Sequence, residues 1–371
     1  MVATIVPRVP KPAFSAAFLV LVFACIAVLG GCAGPQPKEE ERKIQTLWPE
    51  LPEQPRYRFV TFLRTLADIR AEDEDQRLRR VLTGRSERDE RVYNLPVDVA
   101  ARQGRIYVVD PMQKAVVVFD IPRRKVFRFG VREPNLLQRP AALAIDTLGR
   151  VYVLDGQAKK VMVFDGLGLF QSEFALEDDV TKPVGIAVGS DGERVYVVDR
   201  GSLNGVDHKV VVYGHQGERK QVLGPRGDGP GEFSIPLAAA VGPEDSLVVL
   251  DSGNFRVQIF DREGAFVREF GSAGNSLGQF SRPRGLAVDD EGRIYVSDAS
   301  FNNLQVFDWN GQLLMSIGAP DLRGAPGEFA LIGQMSADSS GYLYVADLYF
   351  RKIEVYQHLA DEQGAAYRTG K

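Results

Sequence analysis

Gly292-Arg293-Ile294-Tyr295-Val296-Ser297-Asp298 is a turn, a short strand with alternating apolar residues, and an aspartate at the strand's end. The phrase occurs six times. Its copies end in Asp110, Asp155, Asp199, Asp251, Asp298 and Asp347. Successive aspartates lie 45, 44, 52, 47 and 49 residues apart. A period in the forties with several short strands per unit predicts a β-propeller.

The fifth copy shows the whole unit. Residues 283–289 (Pro-Arg-Gly-Leu-Ala-Val-Asp) read as an inner strand, and Gly292 turns the chain into 294–298. Six residues after Asp298 a third strand begins at Leu304, and Asn310-Gly311 turns it into a fourth over 313–317. Asn-Gly is a strong hairpin signal. Four antiparallel strands make one blade. The third copy departs, because Asp199 and Val210 are eleven residues apart, which puts a five-residue insertion in loop 200–209.

The repeats run over 95–356, and the last one lacks its fourth strand. Residues 57–63 (Tyr-Arg-Phe-Val-Thr-Phe-Leu) read as a strand with no neighbouring partner. The expectation is that this strand completes the sixth blade and shuts the ring, because closure removes exposed sheet edges. Leu66, Ile69, Leu78, Val81 and Leu82 at helical spacing predict a short helical insert over 64–92. The fold expected is all-β, a six-bladed propeller over 56–358 with a polar tail over 359–371.

Residues 1–31 read as a targeting segment. Arg8 and Lys11 precede an apolar run over 13–29 that ends in Leu29-Gly30-Gly31-Cys32. The basic start, the small residues and the polar chain beyond favour a secretory signal over a membrane span. Residues 32–55, rich in Pro, Glu and Lys, are expected to be a flexible tether. The only cysteines are Cys25 and Cys32, so no disulfide is expected in the exported protein. The chain carries 45 Lys and Arg against 49 Asp and Glu. That mild acidity gives no global attraction for nucleic acid.

The pattern Pro-x-Gly-[Ile/Leu]-Ala-Val, then Gly-x-[Ile/Val]-Tyr-Val-x-Asp, then Arg256-Val257-Gln258-Ile259-Phe260-Asp261 resembles the NHL repeat. Gly229-Pro230-Gly231-Glu232-Phe233 and Ala325-Pro326-Gly327-Glu328-Phe329 strengthen the resemblance. The Leu-Gly-Gly-Cys ending resembles a bacterial lipobox. Together they resemble exported NHL-repeat lipoproteins, which implies lipid on Cys32 and a membrane-anchored place in the cell envelope. Ala33 after that cysteine favours the periplasmic face of the outer membrane over the inner membrane. NHL relatives include kinase sensor domains, binding domains of ubiquitin ligases and a peptidylamidoglycolate lyase domain, and fold does not choose among them.

The six strand-end aspartates are expected to be structural. Each should accept loop amides or pair with a cation such as Lys160, Lys209, Arg256 or Lys352, since a residue present in every blade serves every blade. Aligned at Gly285, the inner strands offer the channel Asp98, Ala142, Gly185, Ala238, Gly285 and Gln334. Zinc and calcium need more converging donors than this. His208, His215 and His358 fall in different contexts and are expected on the surface. No cofactor or metal is therefore expected, and a metal-dependent lyase or lactonase is the alternative reading.

The leading reading is a non-catalytic scaffold. The loops after the strand-end aspartates and the connections between blades offer Arg200, Asn254, Phe255, Arg282, Arg284, Phe301, Asn302, Tyr349, Phe350 and Arg351 on one propeller face. Aromatics beside arginine suit a protein or peptide partner. Carbohydrate ranks lower, with only Trp48 and Trp309 available to stack on a sugar.

Overall fold

A computed structural model describes residues 46–72, 74, 77, 81 and 90–369. Six antiparallel sheets form the blades. Their inner strands are Asp98–Arg102, Pro140–Ile145, Pro183–Val188, Pro236–Val241, Pro283–Val288 and Ile332–Ala337. Each touches the inner strands of the blades on either side, and the sixth touches the first. The ring is closed around one axis.

Burial follows strand position. The second and third strands of a blade, such as Val195–Asp199 and Lys209–Tyr213, are almost wholly buried, whereas the fourth, Arg219–Leu223, is mostly exposed. Middle strands are covered on both faces by neighbouring blades, which is why they read as runs of valine rather than as alternation. The core is accordingly interfacial. Tyr152, Leu154, Val161 and Val163 of blade two pack with Ile186, Val195, Val197 and Val211 of blade three. Ile106, Val108, Val117 and Phe119 of blade one pack with Tyr344, Ile353 and Val355 of blade six.

The sixth sheet draws on both ends of the chain. Tyr57–Leu63 pairs antiparallel with Lys352–His358, from Tyr57 opposite His358 to Leu63 opposite Ile353. Tyr93 pins this seam. Its hydroxyl donates to the Leu63 carbonyl and accepts the Ile353 N–H at 3.0 Å.

Three expectations need correction. Residues 46–55 are not free tether: Leu47–Trp48 adds a fifth strand to the sixth sheet, and Trp48 packs edge-on against Tyr356 at 5.2 Å. An apolar indole beside a sheet edge gains burial that a solvated linker cannot. The tail is not polar from its start: Leu359 is buried, and the polar residues after it form an α-helix over Asp361–Thr369. The insert over 64–92 shows a 3-10 turn at Leu66–Asp68, closed by the Asp68 carboxylate on the Thr65 amide at 2.8 Å. The rest of that expected helical stretch lies largely outside the described residues. The segment over 1–31, Cys32 and the first part of the expected tether lie outside them altogether.

Candidate functional site: the two mouths of the channel

Strand direction sorts the loops between two faces. One face carries the turns after the strand-end aspartates and the connections between blades. The other carries the turns that follow the inner strands.

On the first face the six aspartates are fully buried. They are amide acceptors. Asp110 takes the N–H of Asn94, Leu95, Met112 and Gln113. Asp155 takes those of Gln138, Arg139, Gln157 and Ala158. Asp298 takes those of Ser281, Arg282, Ser300 and Phe301. Asp199 and Asp347 do the same with three amides each. Asp251 differs, accepting one amide together with Asn254, Gln258 and the Arg256 guanidinium, the last at 2.9 Å. The cation half of the expectation therefore fails in the other blades. Lys160 pairs with Glu173, Lys209 with Asp179 and Lys352 with Glu354. Amides from two loops already fill the acceptor sites of those aspartates, so these lysines find other carboxylates.

The expected binding residues all lie at this end of the strands, and they divide in two. Phe255 joins the apolar core of blades four and five, Asn254 bonds Asp251, and Phe350 stacks edge-on with Tyr349 and lies under the Lys352 ammonium. Phe301 donates its amide to Asp298, and Phe255, Asn302 and Arg351 share a left-handed backbone at equivalent repeat positions. These residues shape loops. Arg282, Arg351 and the 62% exposed Tyr349 instead turn their side chains to solvent, and Arg200 and Arg284 are half-buried.

Register adds two residues that were not singled out in the sequence. The residue before each inner strand's first position is Arg139, Lys182, Ile235, Arg282 or Leu331 in blades two to six. Arg139, Lys182 and Arg282 join Arg200 and Arg284 at the channel mouth. None of the five meets a carboxylate through its side chain among the described residues. Burial, with Arg282 close by, pushes the Arg284 guanidinium below its ordinary range. The alignment that yielded Asp98 and Gln334, moved three residues back, would have found this set.

The second face opens into a cavity of about 580 Å³. Its walls are inner-strand residues such as Leu143, Ile186 and Leu286, and Asp98 and Gln334 lie among its lining. Asp98 is 8% exposed and accepts the N–H of Val99 at 2.8 Å and of Leu143 at 2.9 Å. Burial outweighs those bonds and pushes its carboxyl up to about 7. Gln334 ties blade six to blade five through Leu286 and Arg284. The mouth is acidic, with Asp245, Asp289, Asp290 and Asp338 against Arg102. Most of that charge is engaged: Asp289 holds Arg293 at 2.7 Å and Asp245 faces Arg262 at 3.6 Å. Among the described residues no group of three His, Cys, Asp or Glu side chains converges as a metal site.

The histidines need one further correction. His208 is buried rather than exposed. Its Nδ1 accepts the Ile235 N–H at 3.1 Å and its Nε2 donates to the Ser202 carbonyl at 3.0 Å, so it closes the inserted loop from inside. His358 lies half-buried in the sixth sheet against Tyr57. His215 stays in a turn, 3.3 Å from Glu193.

The family model of the NHL repeat matches residues 233–260 and 280–307. These two repeats, in blades four and five, are NHL repeats. No curated protein matches the chain. Among solved structures, a protein of unknown function from Bacteroides thetaiotaomicron is 15% identical, covering 81% of this chain and 76% of its own, with a TM-score of 0.59. A streptogramin B lyase is 15% identical over 72% of this chain and 94% of its own, with a TM-score of 0.52. Virginiamycin B lyase from Staphylococcus aureus is 14% identical over 72% and 96%, at 0.51. At such identity the likeness to each is one of fold. The NHL propeller here thus has two chemically distinct channel mouths.

Proposed function

We propose that this NHL propeller is a non-catalytic binding module that docks a protein or peptide partner on its strand-end aspartate face. The observation that carries the reading is the free side chains on that face. Met112, Leu203, Val206, Leu277, Leu322 and Tyr349 are exposed there, beside the unpaired arginines, on loops fixed by buried carboxylates. Rigid loops lose little entropy on binding, and tyrosine with arginine is what interface centres favour. On the opposite face the exposed apolar loop residues are Leu51 of the sixth sheet and Ile121, Leu148, Leu167 and Leu169 of blades one and two. In this reading Cys32 carries lipid, and the module works at the periplasmic face of the outer membrane.

The test is a photo-crosslinking residue at Tyr349 in intact cells, with Leu167 on the other face as control. Discrete adducts from Tyr349 alone support the reading, and equal or no adducts from both positions sink it. The anchor is checked separately, since Cys32→Ser should move the protein from the membrane to the soluble fraction.

A second reading is a propeller enzyme, favoured by Asp98, a carboxyl that titrates near neutrality inside a cavity. A metal of the lyase or lactonase kind suits the channel poorly, because one acid and one amide face four small residues there. About one calcium or zinc per purified chain would put that reading first.

A further inference from the structure

The cations at the aspartate-face mouth share one feature: among the described residues none of their side chains meets a carboxylate. Arg139, Lys182 and Arg282 occupy the same register position in three blades, and Arg200 and Arg284 stand within two residues of that position or of its strand-end aspartate. Their backbone is held on both sides. The amides of Arg139, Lys182 and Arg282 donate to Asp155, Asp199 and Asp298. Their carbonyls accept the amides of Gly156, Arg200 and Ala299 at 3.1, 3.1 and 3.0 Å. The side chains therefore start from fixed points and cannot drift apart through loop motion. Like charges brought together around a low-dielectric channel repel one another and raise the local potential.

The acids of the neighbouring loops already have hydrogen-bond or ion-pair partners of their own, and none of them reaches a side chain of this cation ring among the described residues. Asp179 is taken by Lys209 and Arg219. Asp207 is taken by Thr181 and Ser202. Asp321 and Glu328 are taken by Arg323. Glu232 folds back on the Gly229 amide at 2.9 Å. The strand-end aspartates lie beneath the ring with their oxygens turned to amides; their charge balances part of the ring from below, while the side chains of the ring face outward without a carboxylate partner. At the far end of the channel the cavity is lined instead by Asp98, Asp245, Asp289, Asp290 and Asp338, of which Asp289 and Asp245 are held by Arg293 and Arg262.

We propose that this basic mouth binds a carboxylate-rich segment of the partner. The inference rests on the docking reading above and names the chemistry of what docks. Apolar residues sit among the cations, with Val97, Ala141, Val184 and Leu237 at the register position of Arg284 in blades one to four. A segment with acidic and apolar side chains matches both. A nucleic-acid strand asks instead for an extended basic track along its phosphates, whereas these cations surround a single axis.

The test uses the purified full-length chain and a short fluorescein-labelled poly-L-glutamate, read by anisotropy. Saturable binding that weakens as salt rises is expected. Lys182→Glu with Arg282→Glu should raise Kd by about tenfold or more, while Lys125→Glu on the opposite face should leave it unchanged. Circular dichroism checks that the double variant is folded, and Arg284→Gln, expected to weaken binding less, serves if it is not. Absence of saturable binding, equal Kd values in wild type and the charge-reversed protein, or tighter binding to oligothymidylate or to phosphatidylglycerol vesicles would each overturn the assignment. Tyr349 adducts that persist unchanged in the double variant would retire the acidic segment while leaving the docking reading intact. Loss of those adducts in the wild type as well would retire both.

Discussion

The backbone N–H of Arg282 donates to the carboxylate of Asp298 at 2.9 Å, and the Arg282 carbonyl accepts the Ala299 N–H at 3.0 Å. A residue with no charge partner of its own is thus held at both ends by one buried acid and the residue after it. The same relationship recurs with Arg139 and Asp155 and with Lys182 and Asp199. The repeated aspartate is structural, yet it sets where the variable charge stands.

Asp298→Ala should therefore harm stability and binding together. It leaves the amides of Ser281, Arg282, Ser300 and Phe301 without their acceptor. A loss of about 3 kcal/mol is expected from several orphaned donors, read as a lowered urea midpoint. A variant as stable as wild type would show that these amides find water at no cost.

Asp98 makes stability depend on pH. Its folded value of about 7 lies above the ordinary 3.8. The folded state keeps a proton that the unfolded chain has lost, so its contribution is full below about pH 4 and is lost as pH rises through about 7. Thermal midpoints of the wild type should fall between pH 5 and pH 8, and Asp98→Asn should flatten that fall. Parallel curves for the two proteins would place the proton elsewhere.

Lys352 and Glu354 form a buried ion pair, 1% and 0% exposed in their side chains, on the strand that receives Tyr57–Leu63. Lys352→Met strands Glu354 without its cation and takes the ammonium from the Phe62 and Phe350 rings. The expected cost is about 3–5 kcal/mol. Replacing both residues, as Lys352→Met with Glu354→Leu, should recover part of it, and chemical denaturation of the three proteins measures the difference.

His208→Ala removes the acceptor of the Ile235 amide and the donor to Ser202. Destabilisation of about 1–3 kcal/mol is expected, with faster amide exchange confined to loop 200–209 and its contact at 235. Uniformly faster exchange through blade three would mean that His208 supports the blade rather than the loop.

Much of the fold was legible because each blade is made by local contacts. The turn at Gly292, the alternation through 294–298 and the Asn310-Gly311 hairpin are all signals within a few residues. Trp48, Leu359 and His208 were misread for the opposite reason. Their burial comes from Tyr356, the sixth sheet and Ile235, and no local pattern announces such partners. The candidate site was half legible. Arg200, Arg282 and Arg284 stood out as arginines in exposed loops, but Arg139 and Lys182 looked like ordinary surface cations.

The sequence by itself determined the number of blades, the order of strands within each and the structural role of six aspartates, since repetition and strand period act over short distances. Only the tertiary structure decided that five cations without carboxylate partners gather at one channel mouth. That property is a sum over residues far apart in the chain. Coulomb energy depends on where ring closure places Arg139, Lys182, Arg200, Arg282 and Arg284 around a common axis, and not on their spacing along the chain.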